Sequence, residues 1–292
     1  MGVADKEFFM GALGQEFRKL LRPAYVLLII AGVMLLCLVE TGYIDYRDGT
    51  EYTVMGLITK AGTDKFKQEI PVTALELWCA GSGQWLVMFL PVVASSGYLM
   101  VLSEEKKHRC RSFMLVRGGI TRYCVSKAVS ACLTSALCCA AGYALYGLLM
   151  AAVFPHAGRY DSARLESVLI QLGGTSVWNV VWKRMLGMFL FGMACALPGY
   201  VLGCFFSDKY VLVCMPVLVS YLYGQVMNEG TIRAGSESAG MAWCAADLEL
   251  LRMGPWSRYW YITVGLVFAL WAAATAAFML SLRAERKKGV LA

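Results

Sequence analysis

Histidine is almost missing: this chain of 292 residues has two, His108 and His156, and none of its eleven cysteines forms a Cys-x-x-Cys pair. A structural zinc or a metal-dependent hydrolase needs clustered imidazoles or paired thiolates, so neither class is supported. Charge is also scarce, at 16% of residues against 59% hydrophobic, and the mean hydropathy is +0.58. That excludes an ordinary soluble domain and leaves a polytopic membrane protein. Internal repeats and low-complexity segments are lacking, which gives a repeat-built carrier no support. The opening residues show no small-residue cleavage site of a signal peptide. No Gly-x-x-x-x-Gly-Lys-Ser/Thr run occurs, so the chain does not cradle nucleotide phosphates by that route.

What is present is long apolar sequence. A crossing helix needs about 20 mainly apolar residues, and six runs qualify, at about 24–39, 84–102, 128–154, 185–206, 210–227 and 259–282. The expected fold class is therefore all-α, with six transmembrane helices. Pro91, Pro198 and Pro216 fall inside spans, where membrane helices tolerate them. Cys37, Cys132, Cys138, Cys139, Cys195, Cys204 and Cys214 fall inside spans as well, as small apolar side chains. Cys79 and Cys244 alone are assigned to outer loops, where they would bond if their Cα atoms approach within about 7 Å.

Lys and Arg set the expected orientation, because segments rich in them stay on the cytoplasmic side. With both termini inside, inner segments hold 16 of the 27 Lys and Arg but 7 of the 20 acids. The basic total thus reflects topology, and nucleic acid is not implied. One segment, 165–182, competes as a seventh span. It carries Glu166, Gln171, Gly173, Gly174 and Asn179, and reads better as an outer interfacial or re-entrant piece with Trp178 and Trp182 at headgroup level.

Residues 1–23 read as an amphipathic helix lying on the cytoplasmic membrane surface, with Phe9, Leu13, Phe17 and Leu20 as its apolar stripe. Lys6, Gln15, Glu16, Arg18, Lys19 and Arg22 form its polar surface. Between the second and third spans stands "SEEKKHRCRSFMLVRGGITRYCVSK", the one internal inner segment of any size. Its Glu104, Glu105 and Arg109 match the Glu-Glu-x-x-x-Arg pattern of intramembrane prenyl-type proteases. Adjacent glutamates on a helix project about 100° apart, however, and histidines inside later spans are lacking, so the protease reading is a minor alternative. The spans carry essentially no ionisable residues of the kind that mark ion-coupled carriers. Uphill transport would then need energy from another subunit, docked on the cytoplasmic face.

The order of parts resembles the ABC type 2 exporter permeases: an amphipathic helix, six spans, a charged segment between spans two and three, and the short "SDKY" turn between spans four and five. "RGGITRYCVSK" is similar to that family's Arg or Gly turn followed by Ser/Thr-Arg, an aromatic residue and a Lys opening the third helix. "FFSDKYVLVCMPVLVSYLYG" resembles bacterial members. The resemblance implies a coupling segment at 103–127 that seats on an ATPase subunit, with Glu104, Glu105, Lys106, Arg109, Phe113, Arg117, Gly118, Arg122, Tyr123 and Lys127 as candidate coupling residues. Both charge signs there suit docking. Gly118 and Gly119 would allow a tight reversal, Thr121 would cap the next helix, and Arg122 and Lys127 would pin that helix to the anionic leaflet.

The resemblance further implies a multi-pass subunit in the cell membrane, not itself an enzyme, with no cofactor of its own and with ATP and Mg on the partner ATPase. Its partners would be that ATPase, a second permease chain and membrane lipid. Its cargo would be hydrophobic or amphipathic: a peptide such as an antimicrobial peptide, a drug-like compound or a lipid. The rival class is a non-transporting adaptor or sensor. Outer loops are expected at 40–83, 155–184 and 228–258, the first as a polar excursion and the last as a lid with an amphipathic stretch at 243–251. A cytoplasmic tail is expected at 283–292.

Overall fold

The computed structural model describes residues 3–45, 49–60, 72–107, 114–115, 119–155, 162–172, 174–206, 208–233 and 260–287. Helix α1 (Val3–Leu20) meets α2 (Pro23–Val39) at a 59° bend. Pro23 opens α2, where its missing N–H removes no helical bond. Two strands follow, β1 (Thr41–Asp45) and β2 (Thr50–Thr53), paired antiparallel with Tyr43 opposite Tyr52. Short helices α3 (Val54–Lys60) and α4 (Ala74–Ala80) complete this layer. Five long helices make up the remaining frame with α2: α5 (Gln84–Lys107), α6 (Ile120–Val153), α8 (Val177–Phe205), α9 (Lys209–Arg233) and α10 (Trp260–Lys287). Between α6 and α8 lies α7 (Ser162–Gln171).

Four of these helices, α5, α6, α8 and α10, are long and apolar enough to cross a membrane, and the bent α1–α2 pair makes a fifth if counted as one span. The chain is thus a multi-pass membrane protein by helix length and hydropathy. Helices α6 and α8 form the centre: α8 packs along both α5 and α6, α2 packs against α5 and α6, α9 flanks α5 and α8, and α10 flanks α6 and α8. In lipid no hydrophobic force draws helices together, so close approach through small residues does much of the work. Gly142 on α6 illustrates it. A Cβ there would stand 2.9 Å from Val33 Cβ and 3.1 Å from the Ile30 carbonyl of α2.

Several expectations change. The fold is helical with a two-stranded hairpin added, and the described parts of 40–83, which hold β1, β2, α3 and α4, bury Val54, Leu57, Leu75, Leu77 and Trp78. Its signal was legible: "TALE" is a capping box, with Thr73 Oγ1 accepting from Glu76 N and Thr73 N donating to Glu76 Oε2 at 2.8 Å. In line with the preferred reading, segment 165–182 is no single span, since α7 ends at Gln171 and α8 begins at Val177. Trp178 and Trp182 are 76% and 73% exposed, on the first turns of α8 rather than in a loop. The two ends of segment 103–127 are helix: α5 continues to Lys107 and α6 starts at Ile120. The expected loop 228–258 loses its first residues to α9, and the stretch 243–251 lies outside the described residues.

Candidate functional site at the charged end of the bundle

The residues singled out at 103–127 divide into three groups. Arg109, Phe113, Arg117 and Gly118 lie outside the described residues, and Lys106 is on the last turn of α5. Gly119 takes φ +74°, the left-handed region open to glycine, and is itself the N-cap of α6. Thr121 therefore sits inside the helix and makes no cap, which corrects the expected role. Glu104, Glu105, Arg122, Tyr123 and Lys127 stand on the facing ends of α5 and α6.

The two glutamates part company as their 100° offset requires. Glu104 is exposed, 3.5 Å from the Arg22 guanidinium and accepting from the Tyr25 hydroxyl at 3.1 Å. Glu105 turns inward and is 6% exposed. There it accepts from Lys127 Nζ at 2.6 Å and from Lys19 Nζ at 2.9 Å. Lys127 also pairs with Glu16, and Lys19 reaches Glu16 at 3.0 Å. Two acids and two lysines from three helices thus close on one another, with Glu16 5% and Lys127 1% exposed. The arrangement is neutral, which is what burial of charge demands, because an unpaired ion in a low-dielectric interior costs several kcal/mol. Burial by itself would depress the Lys19 ammonium, but the hydrogen bond and charge of Glu105 and those of Glu16 outweigh it and hold the group above its ordinary value.

Two assignments are corrected by this cluster. Lys127 is buried among carboxylates and cannot pin α6 to lipid headgroups. Glu16 belongs to the buried face of α1 together with Leu20, while Leu13 and Phe17 are half-buried and Phe9 lies nearer the start of the helix. The partners Glu16 and Lys19 were missed as site residues, although their i,i+3 spacing beside the apolar stripe was a usable signal. Tyr123, one turn before Lys127 on α6, donates to Glu105 at 3.5 Å and touches Phe278 of α10, ring centroids 6.3 Å apart. From Phe278 the aromatic contacts run through Tyr200 to Trp271 and Tyr98, so the charged cluster abuts an aromatic seam joining α5, α6, α8 and α10.

A second polar network occupies the opposite end. Tyr143 Oη donates to the Trp78 carbonyl at 2.9 Å, Trp78 Nε1 to the Tyr143 carbonyl at 3.1 Å, and Tyr146 Oη to the Leu77 carbonyl at 2.8 Å. These bonds fasten α4 to α6. Arg184, assigned from sequence to a loop, is a buried residue of α8 that donates to Ser82 Oγ at 3.2 Å. Glu40 is buried and accepts from the Trp85 amide at 3.0 Å. Cys79 is a buried free thiol, pushed up to about 11 chiefly by burial, while Cys244 lies outside the described residues. Among the described residues no group of three His, Cys, Asp or Glu side chains is placed to hold a metal. Among the described residues, the charged end shows ionic fastening of α1 to α5 and α6. No protein-family model, curated protein or solved structure matches this chain.

Proposed function

We propose that the chain is the permease subunit of an ATP-driven exporter in the cell membrane, with its charged end in the cytoplasm. Six crossings are made by α2, α5, α6, α8, α9 and α10, the shorter members being α2 with 17 residues and α9, whose apolar part is Cys214–Val226. An ATPase subunit binds at 103–127 and supplies ATP and Mg chemistry; a second permease chain, the same or a sibling, completes the pore. The cargo class is hydrophobic or amphipathic.

The observation that carries the reading is the four-residue ion cluster. It joins α1 to the two helices that flank 108–118, so a push on that segment is delivered to α1, α5 and α6 together rather than absorbed by one flexible turn. Buried charges held at 2.6 to 3.0 Å resist separate movement of the three helices. The exposed Glu104 and the half-buried Arg122 border the same segment and are suited to a partner's charges.

Co-expression with a candidate ATPase tests this. The complex is expected to co-purify and to hydrolyse ATP faster when reconstituted with peptide or lipid cargo, and Glu104→Lys with Arg122→Glu is expected to release the ATPase while leaving the permease folded. A chain that binds no ATPase yet retains another membrane partner would point to the adaptor class. Peptide cleavage by the purified chain alone would return the protease reading.

A further inference from the structure

Beside the ion cluster, the start of α6, at the edge of the proposed docking segment, and the end of α10 line an open basic cleft. Its volume is about 560 Å³, and its walls are Ile120 and Thr121 from the first turn of α6 with Arg283, Arg286 and Lys287 from the end of α10. The spacings i,i+3 and i,i+4 put the three cations on one helix face. Unlike Lys127, none of the three pairs with an acid among the described residues. The opposing wall adds to the positive field. The α6 N-cap is Gly119, which makes no side-chain cap, and the positive end of the dipole of this 34-residue helix stands at the cleft.

Three cations and a helix start, with no acid among the described lining residues, suit a phosphate group. The level of the cleft selects the source. Arg283 follows directly on the apolar run of α10, whose Leu280 is exposed and Leu282 buried. The cleft thus stands where a crossing helix leaves the hydrocarbon, which is where lipid phosphates lie, and Ile120 gives it an apolar wall. We infer that it binds the phosphate of an anionic phospholipid headgroup, fixing α6 to α10 through the lipid. The inference rests on the membrane reading alone and is independent of transport.

The test uses the full chain in bilayers, with spin-labelled phosphatidylglycerol compared against spin-labelled phosphatidylcholine. The wild type is expected to immobilise the anionic label preferentially. Arg283→Gln with Arg286→Gln is expected to reduce that preference by up to about 25-fold, roughly fivefold for each of the two cations. Lys6→Gln with Arg18→Gln removes the same charge elsewhere and is expected to leave the preference nearly intact. Thr121→Asp favours the start of α6 while repelling an anion, and is expected to lose the preference without loss of thermal stability. No preference in the wild type, an equal fall in both double variants, or an unaltered preference in Thr121→Asp would overturn the site. Displacement of the label by inorganic phosphate at constant ionic strength would overturn the lipid as occupant in favour of a soluble anion.

Discussion

Lys127 is the residue on which the charged end depends most. With 1% exposure it has no water to fall back on, and it answers two carboxylates. Lys127→Met would leave Glu16 and Glu105 sharing Lys19 alone, and is expected to cost about 3–5 kcal/mol, the usual result of stranding a buried charge. Adding Glu105→Leu restores charge balance and is expected to return most of that loss; thermal unfolding of the purified variants measures both. Lys19 gives a pH signature of definite sign. Because its folded value is raised above 10.5, its contribution is complete below pH 10.5 and declines as pH rises through the folded value. The stability advantage of wild type over Lys19→Met is therefore expected to be flat from neutral pH to about pH 10 and to shrink above it, read from unfolding curves across an alkaline series.

At the scale of elements, the contact of α2 with α6 is set by what is missing from their surfaces. Gly142 lets the α2 backbone approach so near that a methyl group would meet Val33 and the Ile30 carbonyl. Gly142→Ala is expected to destabilise the bundle by about 1–3 kcal/mol through overpacking. Val33→Ala introduced with it should recover part of the loss, since Val33 Cβ and Cγ1 are the side-chain atoms in the way. Comparison of melting temperatures for the single and double variants checks this. The enrichment of "SACLTSALCCAAGYALYG" in Ala, Gly and Ser announces a close-packing helix, and that much follows from composition. Which glycine meets which neighbour does not, because one helical sequence presents small residues on several faces and only the packed partner chooses among them.

Over the whole molecule, the two ends differ in kind: one is closed by ion pairs, the other by aromatic hydroxyls and indoles bonded to backbone carbonyls. The orientation expected from Lys and Arg places the first inside. A fluorescent reporter fused after the last residue is accordingly expected to fold and fluoresce in the cytoplasm, and an epitope inserted beside Gly49 in the hairpin to be stained on intact cells. The reverse staining would reverse the molecule in the membrane and remove the docking reading with it.

Hydropathy alone determined that the chain crosses a membrane several times and where its main apolar helices lie, because a crossing helix must be long and greasy whatever it packs against. Helix geometry, applied to the sequence, also determined that Glu104 and Glu105 would face different ways. Only the tertiary structure decided the rest: that the ends of 103–127 are helix, that Glu16 and Lys127 are interior, that Arg184 is buried and that α3 and α4 bury Leu57, Leu77 and Trp78. The reason is physical. A charge is read from sequence as solvated until its partner is known, and here Glu16, Lys19, Glu105 and Lys127 come from segments as much as 111 positions apart, so their mutual neutralisation exists only once α1, α5 and α6 have met.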